Sequence, residues 1–249
     1  MISWEESGAG APIVFVHGIT EDRHSWHSVV PLLEDSFRCI CLDLRGHGQC
    51  SDADDYSAFA MTDDVAAVVA DAGIAEPPIM VGHSLGGFVV TAYAVNAPVG
   101  AVVNVDQSLH VEDFAASLQS IAPQIRGPQF TDTFNAIVAP LMTNAMPDDD
   151  FAWAEAKHLA ARQEVVVGNW GVLLDSPPQD TQASIDALLP SVQAPYLAIH
   201  GDDPGEPYRT WLGTVLPQAT IEVWPGDAHY PQLVEPQRFA ARLRDFNAS

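Results

Sequence analysis

Four short apolar, β-branched runs, at residues 13–16, 39–44, 79–81 and 101–105, alternate with stretches of helical apolar spacing at 25–33, 59–72 and 85–96. Strand-like runs punctuated by helices in this rhythm are the signature of a parallel sheet wound with helices. Two further runs, 196–200 and 221–224, and a closing helical stretch at 236–246 extend the pattern to the carboxyl terminus. Thr62 and Asp63 lie near a plausible start for the second helix. The expected fold class is therefore α/β, with a mostly parallel, doubly wound sheet.

From about residue 109 to 190 the rhythm stops. This region is rich in Ala, Asp, Gln and Pro and is expected to form helices at 111–121, 131–146 and 150–166. We read it as an inserted helical cap, or lid, at 109–190, on a core formed by 1–108 and 191–249. Asp148, Asp149 and Asp150 fit carboxylates at a helix start, where free backbone N–H groups favour them. A chain of 249 residues accommodates one such domain, and no repeat or low-complexity linker divides it.

Charge narrows the partners. Thirty-three acidic residues against ten basic ones give a formal charge of -23, which repels phosphate backbones and anionic lipid surfaces. Nucleic acid is excluded as a partner, and the charge reads as a solubilising surface. No basic leader followed by an apolar run opens the chain, and no stretch stays apolar for the roughly 20 residues of a membrane helix; a cytoplasmic location and no membrane association are expected. Cys39 and Cys41, two apart in a strand, face one side and read as core, and Cys50 lies in a Gly- and Asp-rich loop without metal-ligand spacing. This usage fits a reduced compartment.

The chemistry is carried by Gly82-His83-Ser84-Leu85-Gly86-Gly87, directly after one strand run and directly before an apolar helix. A nucleophile must stand out on a sharp strand-to-helix turn, and glycine at both flanks removes Cβ clashes there. The helix amino terminus favours negative charge on the reacting oxygen. Acyl transfer needs two N–H donors on the developing oxyanion; Leu85, after the nucleophile, and Ile19, in the loop after residues 13–16, are the candidates.

Taken together, His17-Gly18, Asp43-Leu44-Arg45-Gly46-His47-Gly48 and Gly82-His83-Ser84-Leu85-Gly86-Gly87 resemble the α/β-hydrolase superfamily, in order and spacing, across nearly the whole chain. The resemblance implies a helical cap after the sixth strand, no cofactor, and a structural rather than catalytic loop at 45–48. It also implies that His229, between the last strand and the last helix, is the base that a serine hydroxyl requires. For the acid that orients His229, Asp203 stands before a proline as in the family, although one residue rather than the more usual two separates it from Gly201. Asp106 occupies the other strand end from which some members supply the acid. Asp203 is favoured, with Asp106 as the alternative.

Trp26, Trp170 and Tyr230 are candidate pocket residues, Trp170 foremost, and Trp153 is a further aromatic candidate. The expected function is a two-step hydrolysis of a small, moderately apolar ester, lactone or related acyl substrate, by attack of Ser84 with His229 moving the proton. Carbon–carbon bond hydrolysis and hydroxynitrile cleavage use the same residues, and a hydrolase-like receptor for a small molecule is the rival from another class. Dehalogenase and epoxide hydrolase chemistry is disfavoured because the elbow carries Ser84 and not Asp. No metal is expected, since no histidine pair has ligand spacing.

Overall fold

The computed structural model describes residues 2–247; the outermost residues of the expected core segments, Met1, Ala248 and Ser249, lie outside it. Among the described residues the strands form a seven-stranded sheet in the order β1-β3-β2-β4-β5-β6-β7. These are β1 (Ser3–Ser7), β2 (Ala11–Val16), β3 (Phe37–Asp43), β4 (Ile79–His83), β5 (Ala101–Val105), β6 (Tyr196–His200) and β7 (Ala219–Val223). All neighbours run parallel except β1, which pairs antiparallel with β3 from Ser3 opposite Asp43 to Ser7 opposite Cys39.

Successive side chains of a strand point to opposite faces, and here both faces are covered. Val14, Val16, Ile40, Leu42, Met80, Val102 and Ala198 join one core, with residues of α1 (Ala58–Asp71), α2 (Leu85–Asn96) and α10 (Gly205–Val215). Their odd-numbered neighbours Ile13, Phe15, Cys39, Cys41, Val81, Val103 and Ile199 join the other, with Trp26 and with Phe239 and Leu243 of α12 (Pro236–Asn247). Double coverage explains why these strands read as continuous apolar runs and not as alternating ones. Cys39 and Cys41 share that second face, as their spacing requires. Burial pushes the Cys39 thiol up to about 12 and raises that of Cys41 well above its ordinary value.

Several local expectations need correction. Residues 25–33 form two single 3-10 turns, Arg23–Trp26 and Val30–Leu32, because Pro31 supplies no N–H to continue a helix. The helix α1 begins earlier than Thr62: Ser57 is its cap, its hydroxyl accepting the Ala60 N–H at 3.2 Å. Between β5 and β6 lie α3 (Glu112–Ser120), α4 (Ala122–Ile125), α5 (Phe130–Val138), α6 (Asp148–Leu159), α7 (Gln163–Asn169), α8 (Gly171–Asp175) and α9 (Pro178–Leu188). The helix expected over 131–146 ends at Val138, where a 3-10 turn containing Pro140 follows. That expected over 150–166 is two helices, broken where Arg162 is extended. Asp148, Asp149 and Asp150 do occupy the first turn of α6. No helix among the described residues is long and apolar enough to cross a membrane.

Candidate active site

The carboxyl ends of β2, β4, β5 and β6 and the loop after β7 converge on one cavity of about 720 Å³, lined by Ile19, Ser84, Leu85, Asp106, His200 and His229 among others. Ligands of open α/β sheets bind at this edge. Ser84 sits where β4 turns into α2, with φ +50° and ψ -123°. A Cβ on Gly82 would lie 2.1 Å from the Gly86 carbonyl oxygen, and one on Gly86 2.2 Å from that of Val16, so the turn closes only with glycine at both positions.

Backbone strain is concentrated here. The non-glycine residues with positive φ among those described are Thr20, Ser84, Asp106 and Ala228. Each is a candidate site residue or the immediate neighbour of one, Thr20 following Ile19 and Ala228 preceding His229. Left-handed conformations of this kind cost of order 1–3 kcal/mol each and persist where surrounding structure over-determines them.

Asp106, and not Asp203, meets the histidine. His229 Nδ1 lies 2.6 Å from Asp106 Oδ2, while Asp106 Oδ1 accepts the Gly201 N–H at 3.0 Å and faces His200 Nδ1 at 3.6 Å. Burial opposes ionisation of Asp106, but the His200 ring and the His229 hydrogen bond outweigh it and hold its pKa well below the usual carboxylate range. The preference for Asp203 is thereby corrected. Its carboxylate is exposed at the start of α10, accepting from Gly205 N–H at 2.9 Å and from Arg209 at 2.7 Å. With one residue between Gly201 and the acid, the chain turns Asp203 onto its own helix and away from the imidazole.

Ile19 and Leu85 both front the cavity beside Ser84. Of the aromatic candidates, Trp170 lines it, packed on Phe114 and Phe134. Trp26 does not belong to it: fully buried, it packs at a tilt against Phe15, 5.0 Å between ring centres, and near Phe239 in the core on the sheet's other face. Tyr230 is also corrected to a buried packing role, its hydroxyl bonded to His158 Nε2 at 3.1 Å and its ring against His83 and His229. Trp153 packs at a tilt against His24, and is not among the lining residues of the cavity. Arg45 forks onto Asp64 of α1, and His47 is buried against His17, burial lowering its pKa to about 3.

The remaining walls escaped the sequence reading. Phe59, Phe88, Val111, Phe114, Ile137 and Leu173 supply apolar surface, and the carboxylates are Asp106, Asp180, Asp202 and Asp203, with no Lys or Arg among the described lining residues. Nor do any three His, Cys, Asp or Glu side chains among the described residues group to hold a metal ion.

An elbow serine, a histidine on a strand-end carboxylate and a shared cavity at the sheet's carboxyl edge define a class, the hydrolases built on a doubly wound sheet. The model of the alpha/beta hydrolase family matches residues 13–242, and the chain belongs to that family. Among its relatives is the pimeloyl-[acyl-carrier protein] methyl ester esterase of Photobacterium profundum, 26% identical over 98% of each chain. A non-heme haloperoxidase of Rhodococcus erythropolis is 27% identical over 92% of this chain and 89% of its own. The fold is shared with a thermophilic esterase from Thermogutta terrifontis, at a TM-score of 0.79 and 22% identity, over 98% of this chain and 92% of that one.

Proposed function

We propose that this protein is a serine hydrolase of small, moderately apolar esters, lactones or related acyl compounds, acting through Ser84, His229 and Asp106. The observation that carries the reading is the 2.6 Å contact between His229 and Asp106 in the cavity onto which the strained Ser84 opens. An acid on Nδ1 fixes the tautomer that leaves Nε2 free to take the serine proton.

Ser84 Oγ attacks the carbonyl carbon while His229 takes its proton. The N–H groups of Ile19 and Leu85 stabilise the oxyanion, His229 then protonates the leaving alcohol, and water, activated by the same imidazole, releases the acid. The helices between β5 and β6 act as the cap that closes the acyl pocket over these groups. The ester hydrolysis named for the pimeloyl-[acyl-carrier protein] methyl ester esterase supports this chemistry. A cavity walled by phenylalanines, with carboxylates and no Lys or Arg among its described lining residues, favours a substrate that is neutral near the reacting bond.

A panel of p-nitrophenyl esters of graded chain length tests the reading. The protein is expected to turn over short and medium acyl esters, and Ser84→Ala to abolish that turnover. A binding protein without hydrolysis would leave every ester intact.

A further inference from the structure

One fully buried ion pair stands directly behind the site and is not used by the mechanism above. Glu21, 2% exposed, lies 3.1 Å through each carboxylate oxygen from Nδ1 of His83, which is itself fully buried. The same carboxylate accepts the Gly18 N–H at 3.0 Å and the Ser25 hydroxyl at 2.7 Å. On its far side the His83 ring reaches the backbone carbonyl of His229, with Nε2 2.7 Å from the oxygen.

The protonation state follows from the partners. A carbonyl oxygen and an ionised carboxylate only accept, so each ring nitrogen must bring a hydrogen, and a neutral imidazole has one to give. With Glu21 held ionised by the Gly18 N–H, the Ser25 hydroxyl and the His83 ring, His83 is an imidazolium. Burial would lower its pKa, but the charge and hydrogen bond of Glu21 prevail and raise it. Burial likewise opposes ionisation of Glu21, yet His83, Ser25 and Gly18 hold its pKa well below the usual range. The other titratable groups facing the pair are His229 and Tyr230, whose rings pack on His83, Tyr230 lying against Glu21 as well, with Asp106, His158, His17 and His47 further out.

A buried ion pair is a poor source of stability, because desolvation consumes most of the attraction. What this pair touches gives it another use. Gly18 precedes the oxyanion donor Ile19, His83 precedes the nucleophile, and the third contact is the backbone of the base. The loop at residue 18 comes so close that a Cβ there would lie 2.9 Å from the Glu21 carboxylate and 3.0 Å from His83. We propose that Glu21 and His83 are positioning residues that register the oxyanion loop, the nucleophile elbow and the base loop of the hydrolase to one another through one buried carboxylate–imidazolium pair. The proposal rests on the serine hydrolase reading above.

Linkage gives the pair's pH window. The Glu21 contribution is present above the ordinary glutamate pKa and is lost as pH falls towards its depressed value. The His83 contribution is full below the ordinary histidine pKa and is lost as pH rises through its raised value. The pair's contribution to stability is thus full between the two ordinary values, while the pair itself persists in the folded protein up to the raised His83 value.

Glu21→Gln is the test, since it keeps an acceptor for Gly18 and removes the charge that holds the second proton on His83. For the folded variant, kcat on p-nitrophenyl acetate is expected to fall about 100-fold, the cost of an ångström-scale misplacement, with KM changed less than about threefold. The rate of fluorophosphonate labelling at Ser84 is expected to fall in step. A variant that is less stable but has wild-type kcat and labelling rate would reduce the pair to a structural role and overturn the proposal. Absence of labelling in the wild type would instead overturn the hydrolase reading itself, and this inference with it. Should Glu21→Gln fail to fold, 15N NMR of the wild-type imidazoles decides: a His83 ring doubly protonated at about pH 7, above the ordinary histidine pKa, supports the pair, and a neutral ring at that pH overturns it.

Discussion

At the scale of single residues, two acidic positions separate function from surface. Asp106 is enclosed between two histidines and a backbone N–H, whereas Asp203 faces solvent beside Arg209. Asp106→Asn should lower kcat by about 10,000-fold, as in a serine protease that loses the tautomer-fixing acid, while Asp203→Asn should stay within about twofold of wild type. Steady-state kinetics on one p-nitrophenyl ester distinguishes them, and equal losses would contradict the assignment. Asp227, two residues before His229, makes a pH prediction. Burial, with Glu235 nearby, pushes its pKa up to about 6 from an ordinary 3.8. A carboxyl raised in the native state is disfavoured when ionised, so wild-type stability should fall, relative to Asp227→Asn, as pH rises from about 4 to about 6. Thermal melts should show the variant gaining Tm on the wild type across that interval, with a constant difference above it. No pH dependence of the difference would refute this.

At the scale of elements, the helices between β5 and β6 do two things at once. Trp170, at the junction of α7 and α8, packs with Phe134, Val166 and Leu174 to hold the insertion together and also presents a wall to the cavity. Trp170→Ala should therefore destabilise the protein, by up to about 3–5 kcal/mol if the site does not collapse, and should also shift the preferred acyl chain to a longer one. Urea unfolding and the chain-length profile read these separately. An unchanged profile would remove Trp170 from the acyl pocket. The elements also show what a sequence discloses. The parallel strands were legible because burial on both faces demands unbroken β-branched runs, as at residues 101–105. The edge strand β1, Ser-Trp-Glu-Glu-Ser, covers one flank only and carries no such run. The helix breaks near Pro31 and Pro140 outweighed a periodicity that by itself reads as continuous.

At the scale of the whole molecule, the site is an effect of strand order. Ser84 and Asp106 follow β4 and β5 and His229 lies in the loop after β7, and the pairing of β4 with β5, β5 with β6 and β6 with β7 brings them to one edge. The elbow at Ser84 was readable locally, because glycine flanks and the following helix mark it within six residues. The choice of acid was not, since it depends on which strand end faces a histidine 123 positions away. Glu21 gave no local signal either: an isolated glutamate in a loop looks solvated until β2 and β4 are set side by side. Phe114 and the other cavity walls come from helices whose packing has no local mark.

The central claim is that Ser84 is activated where it stands, and peptide mapping after fluorophosphonate treatment addresses it most directly. The account expects one adduct, on Ser84, absent from Ser84→Ala and formed far more slowly in His229→Ala. No adduct in folded wild-type protein, or an adduct on another residue with Ser84 unmodified, would contradict it.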